Sequence, residues 1–122
     1  MTGGHDLVVI GGGAAGLGAA RAAAGAGARV LLVTDGPPGG DCTFTGCVPS
    51  KTLIEAAARG LAFDDAVRRM RSVIARIAAT EDAAALRAEG IEVRRGRARF
   101  VAPVRIDVDG TGAAPAVPSV PG

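Results

Sequence analysis

The stretch Leu7-Val8-Val9-Ile10-Gly11-Gly12-Gly13-Ala14-Ala15-Gly16 decides how the rest of the chain is read. Four apolar β-formers run into a glycine cluster, and the cluster opens into an Ala-rich segment. Leu7 to Ile10 reads as a buried parallel strand, too apolar for an edge. Ala14 to Ala26 reads as a helix that stops near Gly25 and Gly27, and Arg29 to Val33 as a second apolar strand. Residues 6–34 are then one βαβ unit, of the roughly 30 residues such a crossover needs. The glycines have GxGxxG spacing, and each has a physical task. Gly11 permits the tight turn, Gly13 lets backbone N–H groups approach a pyrophosphate, and Gly16 lets the helix pack close to the strand. The helix that starts at Ala14 adds N–H donors and the positive end of its dipole. The expected ligand is a dinucleotide. The alternative is a Gly-rich βα turn that binds nothing.

An acidic residue belongs at the end of the second strand, about 20 residues beyond the glycines, to accept ribose hydroxyl protons. Thr34 occupies that strand end and Asp35 follows it. Asp35 either accepts those protons or serves only as a turn former before Gly36. Gly36 to Asp41 reads as a Pro/Gly loop. A helix is expected over 42–59, with Val48-Pro49 in its first turns, where the missing proline N–H had no partner to lose. Gly60 breaks it. Asp64 and Asp65 open a long helix over 64–89, with Val67, Met70, Ile74, Ile77 and Leu86 mostly on one face and Gly90 closing it. Ile91–Val93, Ala98–Val101 and Val104–Val108 read as short strands within 91–108. The fold class is α/β, a Rossmann-like parallel sheet with helices.

Composition narrows the functions. The chain has 122 residues, 19 of them Gly, with three Phe and neither Trp nor Tyr. That is one domain whose Ala-rich core buries little area per residue, which argues against a large, self-sufficient enzyme with two substrate sites. Of the 14 basic residues the only Lys is Lys51. Arg94, Arg95, Arg97 and Arg99 lack interleaved aromatics on which bases could stack, so no nucleic-acid partner is expected. No secretory signal is visible and no apolar run is long enough to span a bilayer, so the expected location is cytoplasmic, with no membrane partner.

The most informative stretch is Gly39-Gly40-Asp41-Cys42-Thr43-Phe44-Thr45-Gly46-Cys47-Val48-Pro49-Ser50-Lys51. In a reducing compartment a close cysteine pair points to redox or metal chemistry rather than a structural staple. CxxxxC matches no common zinc spacing and His5 is the one histidine, so no metal site is expected. A cysteine at a helix N-terminus has its thiolate stabilised by the dipole. Lys51, four residues after Cys47, adds positive charge one turn further along. Dithiol exchange at neutral pH needs such a pair. The alternative is two small buried hydrophobes.

The stretch resembles the GGxCxxxGCxPSK active-site motif of the class I pyridine nucleotide-disulfide oxidoreductases. These are the FAD flavoproteins that include dihydrolipoamide dehydrogenase, glutathione reductase and mercuric reductase. The resemblance runs from about His5 to the end of the chain, and Ser50 is similar to the dihydrolipoamide and mercuric reductase branches. It implies an FAD/NAD(P)-binding domain of the three-layer type. It makes Cys47 the thiol nearest the flavin, in charge-transfer contact with it, and Cys42 the interchange thiol that attacks substrate. Lys51 matches the lysine near flavin N5. Gly11, Gly13, Ala14, Gly16, Gly40 and Asp41 match cofactor-binding positions, and Ala98 matches a backbone contact near the adenine. Thr34 stands where the family has Glu, so Asp35 is the candidate to compensate.

The resemblance also implies what lies beyond. Thr111-Gly112, with Pro115, Pro118 and Pro121-Gly122, resembles the family's ATGxxP…PG segment, which adds Thr111 and Gly112 to the cofactor-binding candidates. In the family a strand precedes that Thr-Gly, whereas here Val104 to Gly110 runs straight into it. The sheet is expected either to lack a central strand or to recruit Val104–Val108. A second GxGxxG for NAD(P)H and the His-Glu pair of the dimerisation domain do not occur in the sequence. Residues 1–122 are therefore expected to be the N-terminal part of an FAD-binding domain, without the NAD(P) and dimerisation domains. The intact family passes electrons from NAD(P)H through FAD and the cysteine pair to a small-molecule disulfide or metal ion, as a homodimer. Two other readings stay open: a non-catalytic remnant or FAD-binding module, and a thiol redox protein without flavin.

Overall fold

The computed structural model describes residues 4–109, so Thr111, Gly112 and the Pro-rich tail lie outside the described residues. Ten elements follow in order: β1 (Leu7–Ile10), α1 (Ala14–Gly25), β2 (Val30–Thr34), α2 (Gly40–Phe44), α3 (Cys47–Ala58), α4 (Phe63–Glu81), α5 (Ala83–Ala88), β3 (Ile91–Arg95), β4 (Arg97–Ala102) and β5 (Arg105–Asp109). β1, β2 and β3 form a parallel sheet in that order, with Val8 opposite Leu31 and Leu31 opposite Glu92. β4 and β5 form a separate antiparallel hairpin.

All five residues of β2 are buried, because successive side chains enter two different cores. Val30 and Leu32 meet Leu17 and Ala20 of α1, Leu86 of α5 and Ile91. Leu31 and Val33 meet Ile106 and Val108 of the hairpin. Helices, parallel sheet and hairpin are thus three layers, an α/β arrangement with β2 at its centre. Two surface clips tie the strand ends. Asp6 accepts from the Arg29 backbone N–H at 2.8 Å and from its guanidinium at 2.9 Å. His5 Nε2 lies 2.6 Å from Glu92 Oε2, across to β3.

Three expectations are corrected and one open alternative is decided. First, β1 is an edge strand among the described residues, paired with β2 alone. Its apolar character reports its two faces, Val9 toward α1 and Val8 toward the hairpin, and says nothing of its hydrogen-bonding edge. Second, the helix expected over 42–59 is two helices, since Thr45 and Gly46 leave helical geometry between α2 and α3. Third, the helix expected over 64–89 breaks at Asp82, which is extended (φ −69°, ψ 166°) and whose carboxylate accepts from the Ala85 N–H at 2.8 Å. An Asp so placed starts a new helix as its N-cap. Fourth, Val104–Val108 is not recruited into the parallel sheet, because β5 pairs antiparallel with β4.

Candidate functional site

The glycine turn shapes a cleft out of backbone. Gly13 is the N-cap of α1, without a side-chain cap or an acidic residue in the first turn. The first intrahelical bond runs from Leu17 N–H to the Gly13 carbonyl at 2.9 Å, so the Ala14, Ala15 and Gly16 amides have no carbonyl to meet within the helix. Such a helix start is a ready anion site. A Cβ on Gly16 would stand 1.8 Å from the Gly11 carbonyl oxygen, so the helix can lie flush on the turn only without a side chain there. Gly11 has φ +106°, and a Cβ on Gly11 or Gly13 would meet nothing within 4 Å, so both face open space.

That space is a cleft of about 490 Å³ whose lining includes Gly11, Gly13, Thr34, Asp35, Gly40 and Asp41. A smaller hollow of about 190 Å³ adjoins it, sharing Gly11 and Asp35 and adding Arg97 and Ala98. The structure thus brings together the predicted residues Gly11, Gly13, Thr34, Asp35, Gly40, Asp41 and Ala98. Ala14 and Gly16 sit at the head of α1. Lys51 lies exposed on α3 and lines neither hollow. Thr34 is buried, and its hydroxyl donates to the Gly36 carbonyl at 2.9 Å, which turns it into the loop. Asp35 is exposed and is the one carboxylate that borders both hollows.

Gly12 was not singled out in the sequence, yet it holds this architecture. Its Cβ would stand 2.7 Å from Thr34 Oγ1, and its carbonyl accepts from Gly39 N–H at 2.7 Å, joining the two glycine loops. The run of three consecutive glycines was the available signal.

The cysteines sit on two short-spaced helices. Cys42 is half-buried within α2; Cys47 is exposed as the first residue of α3; both are free thiols. Gly46 allows the approach, because a Cβ there would meet the Asp41 carbonyl oxygen at 2.9 Å. A hydrogen bond to the Cys47 side chain, burial, the Cys47 charge and the Glu81 charge all push the Cys42 thiol above its ordinary value. A backbone hydrogen bond from Cys47 opposes them. The turn at Thr45 and Gly46 thus sets the helix that carries Cys42 against the one that Cys47 opens. Cleft and dithiol meet on α2, where Asp41 borders the cleft and Cys42 follows it.

Residues 5–122 match the family model for pyridine nucleotide-disulphide oxidoreductases. The chain belongs to this family. It is 37% identical to a glutathione reductase of Burkholderia cepacia over 145 positions, covering 96% of this chain and 32% of that protein. It is 34% identical to a mercuric reductase of Staphylococcus aureus over 148 positions, covering 98% and 27%. A solved structure of the HOCl-induced flavoprotein disulfide reductase RclA from Escherichia coli, as a Cu(II) complex, superposes with a TM-score of 0.79 at 28% identity, covering 95% and 26%. The chain thus spans between about a quarter and a third of the length of these pyridine nucleotide-disulphide oxidoreductases. Both alignments are longer than the 122-residue chain, so these relatives carry residues inside the matched span that have no counterpart here. Members of the family use FAD and a pyridine nucleotide. Among the described residues no helix is long and apolar enough to cross a membrane, and no group of three or more His, Cys, Asp or Glu could hold a metal ion.

Proposed function

We propose that this chain is the FAD-binding and redox-disulfide portion of an NAD(P)H-dependent flavoprotein disulfide oxidoreductase, cytoplasmic and homodimeric when intact. The observation that carries the reading is the continuity of site and dithiol: Gly40, Asp41 and Phe44 of α2 line the cleft, and Cys42 lies between them on the same helix. The residues present fit the cofactor, since Gly11 and Gly13 face open space where side chains would otherwise intrude.

The Ala14, Ala15 and Gly16 amides would hold the pyrophosphate, with Gly40 and Asp41 closing the opposite wall. Asp35 would accept the ribose hydroxyls, as the exposed carboxylate that borders both hollows, whereas Thr34 is buried. Ala98 borders the hollow where the adenine would lie. Lys51 would bring positive charge to the flavin ring. Bound FAD supplies the relay of two electrons from NAD(P)H to the cysteine pair.

The reduced pair has its own chemistry. The Cys42 thiolate attacks one sulfur of a substrate disulfide, forming a mixed disulfide and expelling one substrate thiolate, which takes up a proton. Cys47, as thiolate, then attacks the Cys42 sulfur, releasing the second substrate thiol and closing the Cys42–Cys47 disulfide. Two electrons have left the protein and the substrate holds both. With a metal-ion substrate the two thiolates are instead its ligands. Glutathione and mercuric reductases among the relatives keep both substrate classes in view.

Titrating the purified chain with FAD tests the reading. Quenching of flavin fluorescence, together with an oxidant-induced loss of both free thiols, is expected. A chain that binds no flavin even after refolding with it would overturn the cofactor assignment. A second reading is a flavin-binding module with no turnover of its own. Oxidation of NAD(P)H by the chain faster than by free FAD would reject that one.

A further inference from the structure

A carboxylate outside the motif stands against the redox helix. Glu81 is the last residue of α4, and its placement follows from the break at Asp82, which turns the chain into α5. There Glu81 Oε2 accepts from Thr43 Oγ1 at 2.9 Å. Thr43, between Cys42 and Phe44 on α2, is only 3% exposed, so its hydroxyl has no water to fall back on. The same carboxylate lies against the N-cap of α2. A Cβ on Gly39 would meet Glu81 Oε2 at 2.7 Å and Thr43 Oγ1 at 2.9 Å, and Gly39 has φ +117°, where glycine is favoured. Three features of the chain, a glycine, a buried hydroxyl and a helix break, converge on one side chain.

The charged groups beside Glu81 have partners of their own. From α1, Arg21 donates to Thr80 O at 2.9 Å and to both carboxylate oxygens of Glu89 at 2.8 and 3.0 Å. Its guanidinium feels Glu81 but hydrogen-bonds Glu89. Asp82 is occupied in capping α5. On α2, Thr43 is its hydrogen-bond partner and Cys42 is the titratable group that feels its charge.

We propose that Glu81 is a positioning residue for the dithiol: through Thr43 it anchors α2, the helix that carries Cys42, to the end of α4. Resting on the redox reading of the cysteine pair, this gives α2 a support that the motif does not contain. The Glu81 charge also acts on Cys42 in the direction that disfavours its thiolate.

The test separates anchor from charge. In the full chain carrying Cys47→Ser, so that Cys42 is the one thiol, Cys42 alkylation by iodoacetamide is followed against pH with and without Glu81→Gln. Gln keeps an acceptor for Thr43 and removes the charge. The Gln variant is expected to alkylate roughly two- to threefold faster below the plateau and equally at the plateau. Thr43→Val keeps the charge and removes the hydrogen bond. It is expected to speed amide exchange over residues 40–44 several-fold while leaving the shape of the pH profile unchanged. Equal alkylation of the Gln variant at every pH would overturn the charge role. Unchanged amide exchange in Thr43→Val would overturn the anchor. In the unmutated chain, oxidation that fails to join Cys42 to Cys47 would sink the redox reading separately, and leaves both Glu81 comparisons readable.

Discussion

At the head of α1 the site is made of what side chains would obstruct, and at α2–α3 it is made of what side chains do. The cradle needs Gly11, Gly12, Gly13 and Gly16, and its donors are backbone amides within four residues of each other. The dithiol needs Cys42 and Cys47, but also Thr43 and a carboxylate 38 residues away on another element. The first kind of site is local and rigid, fixed by sterics. The second depends on tertiary packing and on charge. Perturbing each region should therefore fail differently: the cradle by loss of fold, the dithiol by loss of chemistry in a folded chain.

The sharpest way to break the contrast is Gly16→Ala. The added methyl lands 1.8 Å from the Gly11 carbonyl oxygen, and neither partner is a flexible side chain. Backbone must move, at a cost of about 2–4 kcal/mol. Urea unfolding should show that loss together with the loss of flavin binding. A stable, flavin-binding Gly16→Ala chain would show that the cradle is not fixed by sterics.

Cys42→Ser is the counterpart in the other region. It should abolish the intramolecular disulfide completely, measured by thiol counting after oxidation, while flavin affinity and the unfolding midpoint stay near those of the unmutated chain. Gly46→Ala tests the boundary between the two kinds of site, because it is a steric lesion inside the dithiol. Its methyl would meet the Asp41 carbonyl oxygen at 2.9 Å, tight enough to push α3 from α2 by tenths of an ångström. A loss of about 1–2 kcal/mol is expected, with disulfide closure slowed far more than stability alone would require. Asp35→Asn should weaken ADP or FAD binding about three- to tenfold, the difference between a charged acceptor and the neutral one that Asn keeps, with no change in thiol chemistry. Equal affinity would mean that Asp35 only forms the turn.

The same contrast explains what could be read from the sequence. A site made of glycine spacing is written in the chain within ten residues, so the strand, turn and helix of 7–25 were legible, and so was the cysteine motif. The two helix breaks were not. Composition favours continuing the helix at Asp82 just as it does at neighbouring positions, and only the Ala85 amide shows that its carboxylate starts a new one. Gly46 was visible as a glycine, but its task is defined by the Asp41 carbonyl that it lets approach. The edge position of β1 was hidden because alternation reports the faces of a strand and not its neighbours. Thr34 ends β2 and Asp35 follows it, as the sequence reads, but only the structure shows that Thr34 is buried and Asp35 exposed. Glu81 carried no signal at all: a lone Glu at a helix end is ordinary, and its partner lies far off in sequence.

The smallest effect concerns the strand that delivers the cradle. Asp6, just before β1, accepts from the backbone and guanidinium of Arg29, just before β2. The side-chain hydrogen bond from Arg29 is the main cause that lowers the Asp6 carboxyl from 3.8 to about 2. A carboxylate lowered in the folded state contributes stability that is complete above its unfolded value and lost as pH falls through its folded one. The clip should therefore hold above about pH 4 and be gone near pH 2. Both groups are exposed, so the contribution is modest and falls with added salt. Glu89 is also lowered by its hydrogen bond from Arg21, and Glu92 by those with His5 and Arg94, so acid weakens the chain even without the clip. The comparison with Asp6→Asn removes that shared background. Melting temperatures of the two chains should differ at neutral pH and converge as the pH approaches 2, while disulfide closure at Cys42 and Cys47 is the same in both. A constant difference down to the lowest pH would mean that Asp6 acts through packing and not through its charge. Slower disulfide closure in Asp6→Asn would mean that the strand end and the dithiol are coupled, and the separation of the two regions would have to be given up.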